Sequence, residues 1–453
     1  MDTIDFRNET KKLSETITNF LSDENINAIA RDIGFIERDS KKIDGLKFLD
    51  MLLFTEFNHK ELSLNAMALQ LQDRYGIELS KQAIDYRFSD LSVKFFKVLL
   101  DKVIRMNITE SDNIKFTSFK RVRIKDSTAF KLPDNMKEKY SKGNNKATTI
   151  AQIRIQFEYD LKNGEILDIS LHPYREQDVV DAKNTLDDIT HNELVVRDLG
   201  YVKIDILRKI EKKDAFYLNR LSFSTHIYEK KKTEFKRLDL GKINKQMERN
   251  KVYRITKEVY IGSQEKFKTK IIIEKLPNVE YQKRLKRAER NESRKGMTHS
   301  AEFKAQLALN IFITNTEISS NNVRLLYTLR WQIELMFKIW KTVGEINKLN
   351  KMRVERFETF LFAKLLWIAI NWQIMRRVVS YFYNQKEIFI SPNKLYKTFK
   401  ARIMKFRKAT LEGSENMIEY MNEIFSISPY YHKSEKKKYS ITWSYDIYRI
   451  FDI

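Results

Sequence analysis

Four residues between Leu325 and Lys341 share a spacing from which a reactive site can be built: Tyr327, Arg330, Glu334 and Lys341, at offsets 0, 3, 7 and 14. At about 100° per residue a helix gathers all four within roughly 60° of arc, with Lys338 beside them. Most of the remaining circumference is Leu326, Leu329, Ile333, Leu335, Met336, Phe337, Ile339 and Trp340, which predicts one helix buried on most sides. A stripe of Tyr, Arg, Glu and Lys on such a helix has to meet polar partners, because unpaired buried charge is costly. An Arg330–Glu334 pair at i, i+4 facing solvent satisfies the spacing by itself.

Asp126 and Asp198 supply a second reading. The first follows Val122 and Ile124, the second follows Leu194-Val195-Val196-Arg197, and each is expected at the C-terminal end of a short apolar strand. α/β sheets commonly place functional groups there. Two strand-end carboxylates and Glu334 from the helix can converge on Mg²⁺, a hard cation that prefers carboxylate oxygen and retained water. Two such ions about 4 Å apart activate an attacking oxygen and stabilise a leaving one in phosphoryl transfer. Neighbouring cations would hold the nonbridging phosphate oxygens. No other catalytic pattern competes: there is no cysteine, the six histidines are scattered, and the 11 glycines form no phosphate-binding loop.

The elements that must position these residues can be read from hydrophobic periodicity. From about residue 117 the pattern changes from helix to strand. Ile153, Ile155, Phe157 and Tyr159 alternate with Arg154, Gln156 and Glu158, as in a half-buried strand, and the turn Lys162-Asn163-Gly164 leads to a further strand at Ile166–Leu171. A helical pattern over about Glu176–Ile189, the strand before Asp198, a helix over about Ile204–Lys212 and a strand at Phe216–Leu218 complete a mixed α/β sheet. Residues 223–320 interrupt this order with basic strand-like segments at Tyr253–Ile261 and Phe267–Ile273. They also hold a run from Tyr281 to Ser300 that is rich in Lys and Arg, either a solvated helix face or a phosphate-tracking surface.

Both ends read as helical. Ser63 can cap a helix through Met67, Leu69 and Leu71, Gly76 can end it, and Ser80 can cap a second containing Lys81, Gln82, Tyr86 and Arg87. That is helix-turn-helix spacing, which would set Lys81, Gln82 and Arg87 in a DNA groove; an ordinary helical hairpin has the same pattern. The segment Lys394–Lys408 predicts a basic amphipathic helix turned to DNA or to solvent.

Composition narrows the partners. The 453 residues carry 84 Lys and Arg against 61 Asp and Glu, a formal charge of +23 that favours nucleic acid, although a Lys-rich, AT-biased genome inflates lysine too. The absence of cysteine excludes disulfides and thiolate metal sites and suits a reducing compartment. The start, MDTIDFRNET, is unlike a secretory signal, and the apolar run Thr359–Met375 contains Lys364 and Asn371. A buried helix and a cytoplasmic protein are expected.

The run Y-x2-R-x3-E-x6-K, from Tyr327 to Lys341 within YTLRWQIELMFKIWK, resembles the Y-R-E-K signature of the DDE transposases of bacterial insertion sequences in the group usually numbered four. IKDSTAFKLP around Asp126 and VVRDLGY around Asp198 resemble that family's two aspartate blocks. The resemblance covers about residues 117–375 and, more loosely, the helical N-terminus. It implies an α/β RNase H-like catalytic core with a mixed sheet and flanking helices, interrupted by a β-rich insertion domain and bounded by all-α N- and C-terminal regions.

The corresponding units are 1–116 (DNA-binding), 117–222 (first part of the core), 223–320 (insertion), 321–380 (second part, with the Glu helix) and 381–453 (DNA contact or dimerisation). Also implied are metal binding by Asp126, Asp198 and Glu334, with two Mg²⁺ or substituting Mn²⁺, and DNA contact by Tyr327, Arg330 and Lys341. The activity implied is cut-and-paste transposition on double-stranded transposon ends and target DNA, by a homodimer at the bacterial nucleoid. An inactive DNA-binding regulator and an RNase H-like nuclease are the alternatives. Some members stack a flipped base on an insertion-domain Trp; none of the five Trp here lies in 223–320, where Tyr253 or Tyr260 can offer an aromatic face.

Overall fold

The structure, a computed structural model, describes residues 6–37, 42–55, 63–106, 119–140, 150–162, 164–174, 178–348 and 350–435. The expected change of period near residue 117, Asn163, the start of the helix read from Glu176, Trp443 and the end of the C-terminal region lie outside the described residues.

The N-terminal described residues form α1 (Arg7–Phe20), α2 (Asp23–Asp32), α3 (Gly45–Leu53), α4 (Leu64–Tyr75), α5 (Lys81–Asp85) and α6 (Asp90–Ile104). The hairpin α4–α5 has the caps its sequence predicts. Ser63 Oγ accepts from Ala66 N at 3.1 Å, Ser80 Oγ accepts from Ala83 N at 3.2 Å, and Gly76 ends α4 with φ 64°, a left-handed conformation that suits glycine. The second helix is shorter than expected, and Tyr86 and Arg87 follow it rather than belong to it. Phe88 has to turn into the core, and Arg353 Nη2 holds that turn by donating to Asp85 O at 2.7 Å and Phe88 O at 3.1 Å.

Among the described residues the sheet has ten strands: β1 (Arg121–Lys131), β2 (Gln152–Asp160), β3 (Ile166–Pro173), β4 (Glu193–Arg197), β5 (Phe216–Arg220), β6 (Ile227–Lys231), β7 (Glu234–Arg237), β8 (Arg254–Ile261), β9 (Phe267–Lys275) and β10 (Leu309–Thr314). Their order is β3-β2-β1-β4-β5-β10-β9-β8-β6-β7. β1 is antiparallel to β2 and parallel to β4, and β4 is parallel to β5, so the first five strands make a mixed sheet with flanking helices that fits an RNase H-like core. The strands within 223–320, read from sequence as a β-rich insertion, have no separate sheet. They continue the central one, because β9 pairs with β10 and β10 with β5.

Between the strands lie α7 (Lys137–Tyr140), α8 (Asp178–Asn184), α9 (Ile204–Glu211), α10 (Leu240–Arg249), α11 (Asn278–Lys295) and α12 (Ala301–Gln306). After β10 come α13 (Ser320–Leu329), α14 (Trp331–Thr342), α15 (Val354–Lys386), α16 (Pro392–Ala401), α17 (Ile403–Leu411) and α18 (Ser414–Tyr431). The buried run at 359–375 is the middle of α15, where Trp367 and Trp372 are enclosed; full burial of a large apolar side chain contributes about 1.5–3 kcal/mol. Among the described residues no helix is long and apolar enough to cross a membrane. The single helix expected over Lys394–Lys408 is two, α16 and α17, divided at Arg402. Leu395, Tyr396, Phe399, Ile403 and Phe406 are buried as the amphipathic pattern requires, whereas Met404 is exposed.

Two apolar cores occupy the two sides of the sheet. One joins the N- and C-terminal helices to Val122, Ile124, Phe157 and Trp340; the other joins Val195 and Tyr217 to α9, α10 and the inner face of β8 to β10.

Candidate active site

β1 and β4 lie side by side with Ile124 opposite Val196. Two residues beyond each of these stand Asp126 and Asp198, so the parallel register itself makes them equivalent, and the two-residue side-chain period turns both to the same face. Asp198 follows the end of β4, as expected. Asp126 does not end β1, which continues to Lys131 in antiparallel pairing with β2 and sets Asp126 opposite Phe157. What ends just before Asp126, at Ile124, is the pairing with β4. After Asp198 the chain closes a short turn, Tyr201 N donating to Asp198 O at 3.1 Å, and the Tyr201 hydroxyl anchors the turn on Gln156 Oε1 at 2.8 Å.

The helix expected over Leu325–Lys341 is divided at Arg330 into α13 and α14. Tight i to i+3 bonds flank the division: Arg330 N donates to Tyr327 O and Ile333 N to Arg330 O, both at 3.1 Å. The break turns α14 so that Leu335, expected inside, is 48% exposed, and Trp331 is also exposed. The polar stripe nevertheless faces the two aspartates. Tyr327 donates its hydroxyl to Asp198 Oδ1 at 2.7 Å. The buried Arg330 guanidinium forms a close ion pair with Asp126, donates to Glu334 Oε1 at 3.0 Å and lies 3.9 Å from Asp198 Oδ2. Lys341 donates from Nζ to Ala129 O on β1 at 3.2 Å. The Arg330–Glu334 pair of the first reading forms, but its arginine is buried against Asp126 and Asp198 rather than turned to solvent. Lys338 is exposed on α14.

The electrostatics are unbalanced. Burial pushes the Asp126 carboxyl up to about 6, with Arg330 opposing and the nearby Asp198 and Glu334 adding to the rise. Burial also acts on Asp198, but the Tyr327 hydroxyl bond and Arg330 outweigh it and hold that carboxyl below its usual range. Burial raises Tyr327, helped by Asp198, and burial lowers Lys341.

One guanidinium therefore serves three carboxylates, and its Nε is buried without a hydrogen-bond partner among the described residues. Among the described residues no three Asp, Glu or His side chains are gathered closely enough to hold one ion as they stand; Arg330 stands among the three acids. Their chemistry fits a divalent metal all the same, since the donors are all hard carboxylate oxygens and one cation leaves negative charge uncompensated.

Lys81 and Gln82 are exposed on α5 and Arg87 is partly buried just beyond it, in the helical hairpin with α4; they are not part of the carboxylate cluster. Two features escaped the sequence reading. Arg220, at the end of β5, adds positive potential at Asp198 and Tyr327, and its place after a buried strand was its only signal. Behind the aspartates lies a buried ionic network of Arg123, Lys125, Glu158, Glu193 and Arg197. The alternation of β2 suggested a solvent face there.

The model of the Transposase DDE domain family matches residues 117–372. The transposase for insertion sequence element IS231B of Bacillus thuringiensis subsp. berliner is 26% identical, covering 99% of this chain and 96% of its own. The transposase for insertion sequence element IS1151 of Clostridium perfringens is 29% identical over 80% of each chain. Among solved structures, the piggyBac transposase synaptic complex with hairpin DNA aligns over 94% of this chain and 87% of its own, at 9% identity and a TM-score of 0.44. With a family match across more than half of its length, the chain belongs to the DDE transposases of insertion sequences, enzymes that cleave DNA and transfer its strands.

Proposed function

We propose that the protein binds the terminal inverted repeats of its own insertion sequence and moves the element by cut-and-paste transposition at the bacterial nucleoid. The observation that carries this reading is the set of three carboxylates, Asp126 within β1, Asp198 just after β4 and Glu334 on α14, crowded around one buried guanidinium. Those three residues would hold two Mg²⁺, with Mn²⁺ substituting. When bound, the metal supplies a more acidic water and stabilises the leaving oxygen.

The chain's own residues do the rest. Tyr327 fixes the rotamer of Asp198 through its hydroxyl bond. Arg330, with an unused Nε, exchanges carboxylates for the nonbridging oxygens of a DNA phosphate, which its planar fork can grip bidentately. Lys341 and the exposed Lys338 supply point charges along the same helix, and Lys81, Gln82 and Arg87 read the element's end from the helical N-terminal unit. Residues 117–222 and 321–380 form the RNase H-like core, 223–320 is its basic insertion, and 381–453 contributes DNA contact or dimerisation in a homodimeric DNA complex.

The test uses DNA carrying the element's end together with a pre-cut version of that end. Mg²⁺-dependent cleavage of the first and joining of the second to target DNA are the expected results. Cleavage without joining would make the protein a nuclease, and binding without cleavage would make it a regulator.

A further inference from the structure

Lys125 precedes Asp126 and Arg197 precedes Asp198, and both cations turn to the opposite face of the sheet from the aspartates. They too are equivalent in the parallel register, one step beyond the Ile124–Val196 pair. Both are fully buried, and both reach one carboxylate. Glu158, directly across from Lys125 on β2, takes Lys125 Nζ at 3.4 Å on Oε2 and Arg197 Nη2 at 3.5 Å on Oε1, and accepts from Arg123 Nε at 2.9 Å.

The arms differ in how far they depend on Glu158. Lys125 also meets Asp181 at 2.5 Å and Asp168 at 3.3 Å, and Arg123 also meets Glu193 at 3.1 Å. For Arg197, Glu158 is the carboxylate partner among the described residues; its other contacts are Thr185 Oγ1, Ala182 O and the Tyr201 ring. One residue after each of these cations, the chain presents an aspartate to the site.

We propose that Glu158 is a positioning residue that sets the separation of Asp126 and Asp198, by tying Lys125 of β1 and Arg197 of β4 to one buried carboxylate behind the sheet. The inference rests on the reading of the two aspartates as metal ligands. A slip or splay of β4 against β1 would move Asp198 relative to Asp126, and in the described contacts Glu158 joins three strands, β2, β1 and β4, immediately behind the aspartates.

The experiment is a Mn²⁺ titration of the full-length protein, read as the metal-induced rise in melting temperature and as direct metal binding by calorimetry, on wild type, Glu158→Gln, Arg197→Met, Glu193→Gln and Asp126→Asn. Glu158→Gln and Arg197→Met should raise the half-saturating Mn²⁺ concentration by about tenfold, the lower end of what outer-shell changes cost metal sites. Glu193→Gln, which loosens the same network at the far end of β4, should lower the melting temperature and leave half-saturation unchanged. If Glu158→Gln does not fold, Arg197→Met carries the result. Wild-type half-saturation in whichever of these two folds, with metal binding lost in Asp126→Asn, overturns the positioning role alone. Titration of Asp126→Asn like wild type overturns the metal reading and the positioning role together.

Discussion

On one face of β1 and β4, Arg123, Lys125 and Arg197 are buried among Glu158, Glu193, Asp168 and Asp181, and each cation has a carboxylate within 3.5 Å. On the other face, a few ångströms of backbone away, Asp126, Asp198 and Glu334 share Arg330. The same strands thus carry one charge network that is nearly matched, three cations among four acids, and one that is not, a single cation among three. A matched network holds strands in place; an unmatched cluster of acids, partly open to solvent, is suited to taking up a cation. Buried charge alone does not mark a reactive site, whereas buried charge short of its counter-ions does.

Breaking the matched side should produce the largest change in stability. Arg123→Ala leaves Glu158 and Glu193 short of a cation in the interior, and removal of one member of a buried ion pair costs about 3–5 kcal/mol. Urea unfolding should show that loss; a change below about 1 kcal/mol would mean the network is not matched as described.

On the unmatched side, Arg330→Lys should sharpen the contrast. It keeps the charge beside Asp126 and so should preserve most of the stability, but it removes the fork that grips phosphate. End processing should fall by at least about tenfold, since a lost charge-assisted hydrogen bond is worth roughly 1.5–3 kcal/mol. Near-normal processing by Arg330→Lys would leave Arg330 as a helix-steadying partner of Glu334 and nothing more.

How much of this contrast could be read beforehand differs between the faces. Asp126, Asp198 and the stripe of Tyr327, Arg330, Glu334 and Lys341 were legible because each stood out against an apolar period. The division at Arg330 was not, since neither Pro nor Gly marks it and the tightened turn depends on the strands that Arg330 reaches. The matched network was hidden for a different reason. Arg154, Gln156 and Glu158 alternate with apolar residues as a solvent face does, yet Gln156 and Glu158 are buried beneath Tyr201 and the cations of β1 and β4. A polar alternation says which residues share a face, not whether another element covers it.

The basic surface should give the smallest effects residue by residue. On α11, Lys286, Arg287, Arg290 and Arg294 are exposed along one stripe. If they track DNA, each change to Ala should reduce the slope of log K against log salt by about 0.9 and weaken binding to end and unrelated DNA alike. An unchanged slope in a fourfold variant would assign the stripe to solvation.

The central claim is that the acids opposed around Arg330 form the metal-dependent cutting centre. Its most direct test pairs metal-free stability with cleavage in Asp126→Asn. The folded Asp126 carboxyl titrates at about 6 against an ordinary 3.8, so the wild type binds this proton more tightly when folded. Its contribution is therefore full below pH 4 and is lost as pH rises through about 6, a cost of up to about 3 kcal/mol above that range. Asp126→Asn should escape this loss and be at least as stable as wild type at neutral pH in chelator. It should also bind end DNA yet cut none of it in Mg²⁺. A stable Asp126→Asn protein that still cleaves would contradict the account.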